Sequence, residues 1–320
     1  MKKYFFLILI IGVSIITACD QTPKSTTALA VLTSTSDVKN EVTPTKLDDY
    51  WYQGKAEITS YKLEQARYSD VHPGEAVLVF VTEDFLTDKQ VKNDNYTNKN
   101  SIPILKNNFI RKFTTGVYDY SLMTSIFTPE NTKKYPETQK VTLSSQDWCG
   151  HSFMQINQKG NKYNVQLRSY FEDEGDKDFS VEGAMLEDEI FNRIRMNPDA
   201  LPTGKVSLIP SATILRLKHL NTQAVAANIS KKAYSGSDFT GDNLMAYEID
   251  YPLLDRKLTI VYQKEAPYII EGWTDNYKAI FGPTLSTKAT RKKTILGPYW
   301  KQHNPEDVAL RDELGLTNFE

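Results

Sequence analysis

The chain has 320 residues, with 38 Lys and Arg against 40 Asp and Glu, a formal charge of −2. That near balance excludes a general nucleic-acid binder, which needs a basic face, and the length allows one large domain or two small ones. Eighteen Tyr and 14 Phe favour a β-rich fold, because aromatic side chains pack well on a pleated surface.

The first residues read as a targeting segment. Met1-Lys2-Lys3 is a short positive region, and Tyr4 to Ile16 (YFFLILIIGVSII) is an apolar run too short to span a bilayer, so residues 1–18 are expected to be a signal peptide. Ile16-Thr17-Ala18-Cys19 resembles the lipobox of bacterial lipoproteins. That resemblance implies a diacylglyceryl thioether and palmitate-type acylation on Cys19, giving an anchor of several chains that holds firmly. The expected location is the bacterial cell envelope, on the periplasmic or surface face of the outer membrane. Asp20 is an inner-membrane retention signal in enterobacterial lipoproteins, but other groups sort differently. With Cys19 lipidated, Cys149 has no partner for a disulfide.

Residues 20–46 (DQTPKSTTALAVLTSTSDVKNEVTPTK) lack any lasting period and read as a tether, so the body begins near Leu47. From there strands dominate. Residues 56–68 are expected to pair with Glu75 to Thr82 (EAVLVFVT) across a turn at His72-Pro73-Gly74. A polar loop over 84–101 precedes strands over 104–115, 117–127, 140–148, 151–157 and 162–171. The last two form a hairpin about Lys159-Gly160-Asn161. Glu172-Asp173-Glu174-Gly175-Asp176 reads as a hairpin tip.

Leu186, Ile190 and Ile194 then fall at helical spacing, predicting an amphipathic helix over 181–196, stopped by Asn197-Pro198, with Glu187, Asp188 and Glu189 on a solvated face. Strands are expected at 205–218, 222–233, 244–252, 256–264 and 267–273. A short helix follows Asn304-Pro305 and ends near Gly315. The predicted fold is mainly β (α+β), with antiparallel, curved sheet or sheets, one mid-chain helix and a short C-terminal helix. Residues 47–320 form the extracytoplasmic domain, with a possible sub-division near 180–204.

The segment with most chemistry is Gln146-Asp147-Trp148-Cys149-Gly150-His151-Ser152-Phe153. On an uninterrupted strand Cys149 and His151 share a face, so they could form a thiolate–imidazolium pair with Asp147 as an orienting group. The simpler reading is a packed strand with an inert thiol, and Cys-Gly-His matches no cysteine-protease signature. The four histidines, His72, His151, His219 and His303, lack zinc spacing, and no phosphate loop, dinucleotide fingerprint or nucleophile elbow occurs. No metal or cofactor is expected. Lys288 with Arg291-Lys292-Lys293 reads as exposed charge. Trp148, Tyr118, Tyr120 and Trp273 are candidates to line a ligand groove, although aromatic residues also fill sheet cores.

Tyr50-Trp51-Tyr52-Gln53-Gly54-Lys55-Ala56-Glu57, Trp148-Cys149-Gly150-His151, Arg168-Ser169-Tyr170-Phe171 and Leu201-Pro202-Thr203-Gly204 together resemble a family of uncharacterised bacterial cell-envelope lipoproteins over most of residues 50–275. The name septum formation inhibitor Maf sometimes travels with such chains. Genuine Maf proteins are cytoplasmic nucleotide pyrophosphatases with a Ser-x-Ser-Pro-Arg-Arg loop that is absent here, so the resemblance carries no reaction. The first expectation is a non-catalytic envelope module that binds a protein, glycan or lipid and stays at the membrane through Cys19. The competing expectation is a cell-envelope hydrolase or transferase using Cys149 and His151.

Overall fold

Burial alternates along 118–129, 140–147 and 150–159, because a period of two sends successive side chains to opposite faces of a sheet, whereas 56–67 is buried almost throughout. The computed structural model describes residues 47–279 and 282–318. The signal segment, Cys19 and the tether therefore lie outside the described residues. The first half contains β1 (Ala56–Arg67), β2 (Asp70–Leu86), β3 (Val91–Lys92), β4 (Ser101–Thr115), β5 (Tyr118–Pro129), β6 (Lys140–Asp147), β7 (Gly150–Lys159), β8 (Lys162–Ser169) and β9 (Lys177–Glu182). A crossover follows, with β10 (Met185–Leu186), α1 (Ile190–Met196), β11 (Gly204–Ile209) and α2 (Ala212–Lys218). The chain closes with β12 (Val225–Ala233), β13 (Leu244–Tyr251), β14 (Arg256–Gln263), β15 (Ile270–Lys278), β16 (Thr284–Gly297) and α3 (Ala309–Glu313).

All sixteen strands join one sheet in the order β10-β11-β12-β13-β14-β15-β16-β1-β2-β4-β5-β6-β7-β8-β9, with β3 on β2. The sheet is mostly antiparallel and not closed; only β10 and β11 run parallel. The first and last long strands pair at its centre. Its two edges, β9 and β10, are joined by Gly183 and Ala184 alone. At Gly183 the backbone N–H meets the Asn161 carbonyl, and a Cβ would sit 2.6 Å from that oxygen. The described residues form one compact unit, so 180–204 is a crossover within it and not a domain boundary.

One face of the sheet carries the main core. Tyr61, Phe80, Phe109, Leu143, Ile156, Val165, Ile260 and Trp273 pack there against Leu186, Ile190, Phe191, Leu208 and Leu215 of the crossover. On the other face Ile58, Val79 and Val81 pack against Leu314, just beyond α3.

The crossover departs most from the sequence reading. The helix predicted over 181–196 is shorter, because 181–182 finish β9 and α1 begins only at Ile190. Residues 205–218, predicted as strand, divide into β11 and α2. Ser211 caps α2 by accepting a hydrogen bond from the Ile214 N–H, and His219 ends it at φ 53°. Seven residues are too few for a stable isolated helix, so tertiary packing holds α2 in place. The expected His72-Pro73-Gly74 turn lies instead inside β2, and the reversal comes at 68–69. Pro73 is tolerated because β4 begins to pair with β2 only at Gly74. Residues 284–297, unassigned from sequence, form β16, where Lys288 pairs with Asp238 at 2.6 Å and Arg291 with Glu271 at 2.9 Å.

The acids read as a solvated face are buried. Glu187 takes two hydrogen bonds from Arg256 at 2.5 and 2.7 Å and one from the Tyr251 hydroxyl at 2.8 Å. Arg256 also reaches both oxygens of Asp275 at 2.8 and 2.9 Å. Asp188 accepts the Ala212 N–H at 2.9 Å, which ties α1 to the start of α2. Glu189 is held by Thr138 and Arg193. Arg195 meets Glu57 over the Trp51 ring.

Removing one partner of a buried pair leaves an uncompensated charge. Arg256→Met is therefore expected to destabilise the fold by on the order of 3–5 kcal/mol, read as a lowered urea midpoint; an unchanged midpoint would refute the pairing. Burial pushes the Asp188 carboxyl up to about 7, with Glu187 adding to the rise and the Ala212 N–H opposing it. A raised acid pKa means that the folded state holds the proton more tightly. Its stabilising contribution is full below the unfolded carboxyl value of about 4 and declines as pH rises toward neutrality. Stability measured against Asp188→Asn should accordingly fall across that window, and a rise would contradict the burial.

Candidate functional site

The Trp148-Cys149 pair is a hairpin turn, not a strand interior. β6 and β7 pair through Asp147 and Gly150, leaving two residues to reverse the chain. The Asp147 carboxylate closes the turn by accepting the N–H groups of Cys149 at 2.8 Å and Gly150 at 3.2 Å. Its other oxygen takes a hydrogen bond from Arg216 of α2 at 3.1 Å, in an ion pair shielded from solvent. Asp147 thus builds the turn and orients no histidine.

Cys149 is exposed and its thiol forms no hydrogen bond with His151 among the described residues. His151 is also exposed, opposite Gln146 across the ladder. The packed-thiol reading is overturned: a two-residue loop points Cys149 outward. The aromatic candidates separate. Trp148 is exposed, with its ring 6.4 Å from that of half-buried Tyr118. Tyr120 is buried, stacked on Phe113 at 4.6 Å. Trp273 is buried among Tyr61, Phe109 and Phe191, so it lines no open groove.

Cys149, His151 and Trp148 line a shallow surface depression, and a deeper cleft lies beside this hairpin, on the side of the sheet covered by the crossover. It encloses about 430 Å³. Leu143, Met154, Leu167, Phe179, Leu215 and Leu220 supply its apolar walls. Their origin is the alternation of β6, β7, β8 and β9 together with the core-facing residues of α2. The lip is polar, formed by Glu172, Asp173 and Glu174 of the β8–β9 loop, with His219 and Asn221 after α2.

Side-chain bonds fasten the lip. Glu174 contacts His219 Nδ1 at 2.6 Å and accepts the Ser169 hydroxyl. Phe171 lies edge-on to the His219 ring at 5.1 Å, and the Arg216 guanidinium sits 4.3 Å from the Phe171 centroid. The contact engages Nδ1, so Nε2 is the ring nitrogen left to meet a ligand or water. Arg216 therefore serves the hairpin turn and the cleft lip together. No cluster of three His, Cys, Asp or Glu side chains positioned to hold a metal occurs among the described residues.

Arg216, His219 and Glu174 are the residues that sequence reading missed as site components. The available signal was Pro210-Ser211, a helix start before apolar Ile214, Leu215 and Leu217. Reading 205–218 as strand hid the turn of helix that brings Arg216 and His219 to one side.

In the folded protein Cys149 is expected to react with maleimide at a rate that His151→Ala leaves unchanged; a large drop in that variant would restore the nucleophile–base reading. Asp147→Ala should destabilise the fold by about 3 kcal/mol, because it strands the Arg216 charge. Comparison of the chain with family models, curated proteins and solved structures returns no match.

Proposed function

We propose that this chain is a membrane-anchored extracytoplasmic lipoprotein that binds a small ligand with an apolar body in the cleft between β6–β9 and α2. The observation that carries this reading is the pairing of apolar walls with a hydrogen-bonded polar lip around about 430 Å³. Small-molecule sites typically enclose about 300–1,000 Å³ and combine apolar walls with a few placed polar groups. The lip carries Glu172, Asp173 and Glu174 against Lys177 and an Arg216 already paired with Asp147, which favours a neutral or cationic head group over an anionic one.

The two-residue link between the sheet edges supports the same reading. Edges joined by two residues lie within about 11 Å, since each residue spans at most ~3.6 Å. Fifteen strands laid flat at ~4.8 Å spacing would hold those edges on the order of 65 Å apart. We infer that the sheet wraps around the crossover, a shape suited to sheltering an apolar ligand. The anchor rests on the Ile16-Thr17-Ala18-Cys19 pattern. Among the described residues no helix is long and apolar enough to cross a membrane.

Leu167→Trp fills the cleft and is expected to weaken binding of the apolar fluorophore N-phenylnaphthylamine by roughly tenfold, about 1.4 kcal/mol. Equal affinity in parent and variant would remove the cleft from the proposal. For the anchor, palmitate labelling and membrane retention should both vanish in Cys19→Ser; retention of that variant in the membrane fraction would count against lipidation.

A further inference from the structure

Antiparallel alternation places the reversals at 68–69, 116–117, 148–149 and 170–176 at one end of the sheet. Three of them expose a large apolar side chain at the tip: Val117 at 78% exposure, Trp148 at 68% and Tyr170 at 80%. These tips are neighbours. Trp148 lies beside Tyr118, the residue after Val117, and a Cβ on Gly150 would sit 3.2 Å from the Tyr170 ring. Tight turns ordinarily carry Gly, Asn, Asp or Ser, which solvate well. Here the exposed apolar side chains on these adjacent turns are an indole, a phenol and an isopropyl group, and exposed apolar groups gathered in this way mark an interaction surface.

We propose that this end of the sheet docks on a bilayer surface, with Val117, Trp148 and Tyr170 seated at the head-group boundary. The proposal rests on the anchored-lipoprotein reading above. Indole and phenol rings have an apolar body and a polar edge, the combination that concentrates at membrane interfaces. The charge nearby selects the kind of surface. Asp119, Glu172, Asp173 and Asp176 flank the tips against Lys177 and an Arg168 already paired with Asp178, so a zwitterionic bilayer fits and an anionic one is disfavoured.

Chain length permits the geometry. The 28 residues from Cys19 to Leu47 reach at most about 100 Å. β2, the longest strand at 17 residues, spans only about 58 Å. The cleft lip begins at Phe171, next to Tyr170, so docking would bring the cleft mouth to the lipid surface. A ligand with an apolar body could then pass between bilayer and cleft without crossing bulk water.

The test uses the full chain with phosphatidylcholine vesicles whose acyl chains are brominated close to the head group. The difference between parent and Trp148→Phe isolates the Trp148 emission from that of the other three tryptophans. At excess vesicles the Trp148 emission is expected to shift to the blue and lose the greater part of its intensity. Val117→Asn combined with Tyr170→Asn, with near-ultraviolet dichroism unchanged, should abolish the quenching. Trp148 emission unaffected by vesicles overturns the proposal, as does quenching that survives the double substitution. Flotation of parent and Cys19→Ser with the same vesicles reads the anchor separately. A parent whose Trp148 is quenched but which floats no better than Cys19→Ser counts against lipidation alone, whereas unquenched Trp148 in a floating parent counts against docking alone.

Discussion

The ion pairs between Arg256 and the carboxylates of Glu187 and Asp275 are the constraint on which the rest of this fold depends. A sheet of this width needs something to cover its apolar face, and the mid-chain crossover supplies it. Apolar contact alone would let a short, mobile segment settle in several ways. Glu187 instead meets a fork of donors on β14, itself held by Asp275 on β15. Bidentate guanidinium–carboxylate geometry tolerates little rotation, so the start of the crossover has one seat. Taking these charges out of water is expensive, and the return is a defined arrangement more than net stability.

The seat propagates along the crossover. Asp188 accepts the first N–H of α2, and the Arg67 guanidinium donates to the Leu217 carbonyl near its other end. α2 is thereby fixed at both termini, where orphan backbone groups otherwise need partners. Its Arg216 then projects to Asp147, which shapes the hairpin carrying Trp148 and Cys149. The same guanidinium supports Phe171 at the cleft lip. A charge buried at β14 is connected in this way to a surface turn on the other half of the sheet.

Strand identity was largely legible. Hydrophobic alternation located β5 to β8 and β12 to β14 to within a few residues, and Gly160 marked the β7–β8 turn. The misreadings share one cause. Local pattern cannot tell which face will be covered, so Glu187, Asp188 and Glu189 looked solvated, although the sheet buries them against Arg256, Ala212 and Thr138. The 205–218 segment misled similarly, because its apolar density suits a buried strand as well as a short buried helix. Of the cleft, the sequence revealed the acidic β8–β9 tip and the strand walls. It hid Arg216 and His219, whose position depends on α2.

What the sequence by itself determined is therefore short-range: the β-rich class, the β7–β8 hairpin about Gly160, and the lipobox pattern ahead of Cys19. Each follows from residue types within a few positions of one another. The pairing of β1 with β16, the burial of the crossover acids and the cleft were decided only by tertiary structure. So was the outward turn of Cys149, which depends on the Asp147–Arg216 contact as well as on a two-residue loop. Each of these joins residues that are tens to hundreds of positions apart, and their energies depend on desolvation and geometry that no local period encodes.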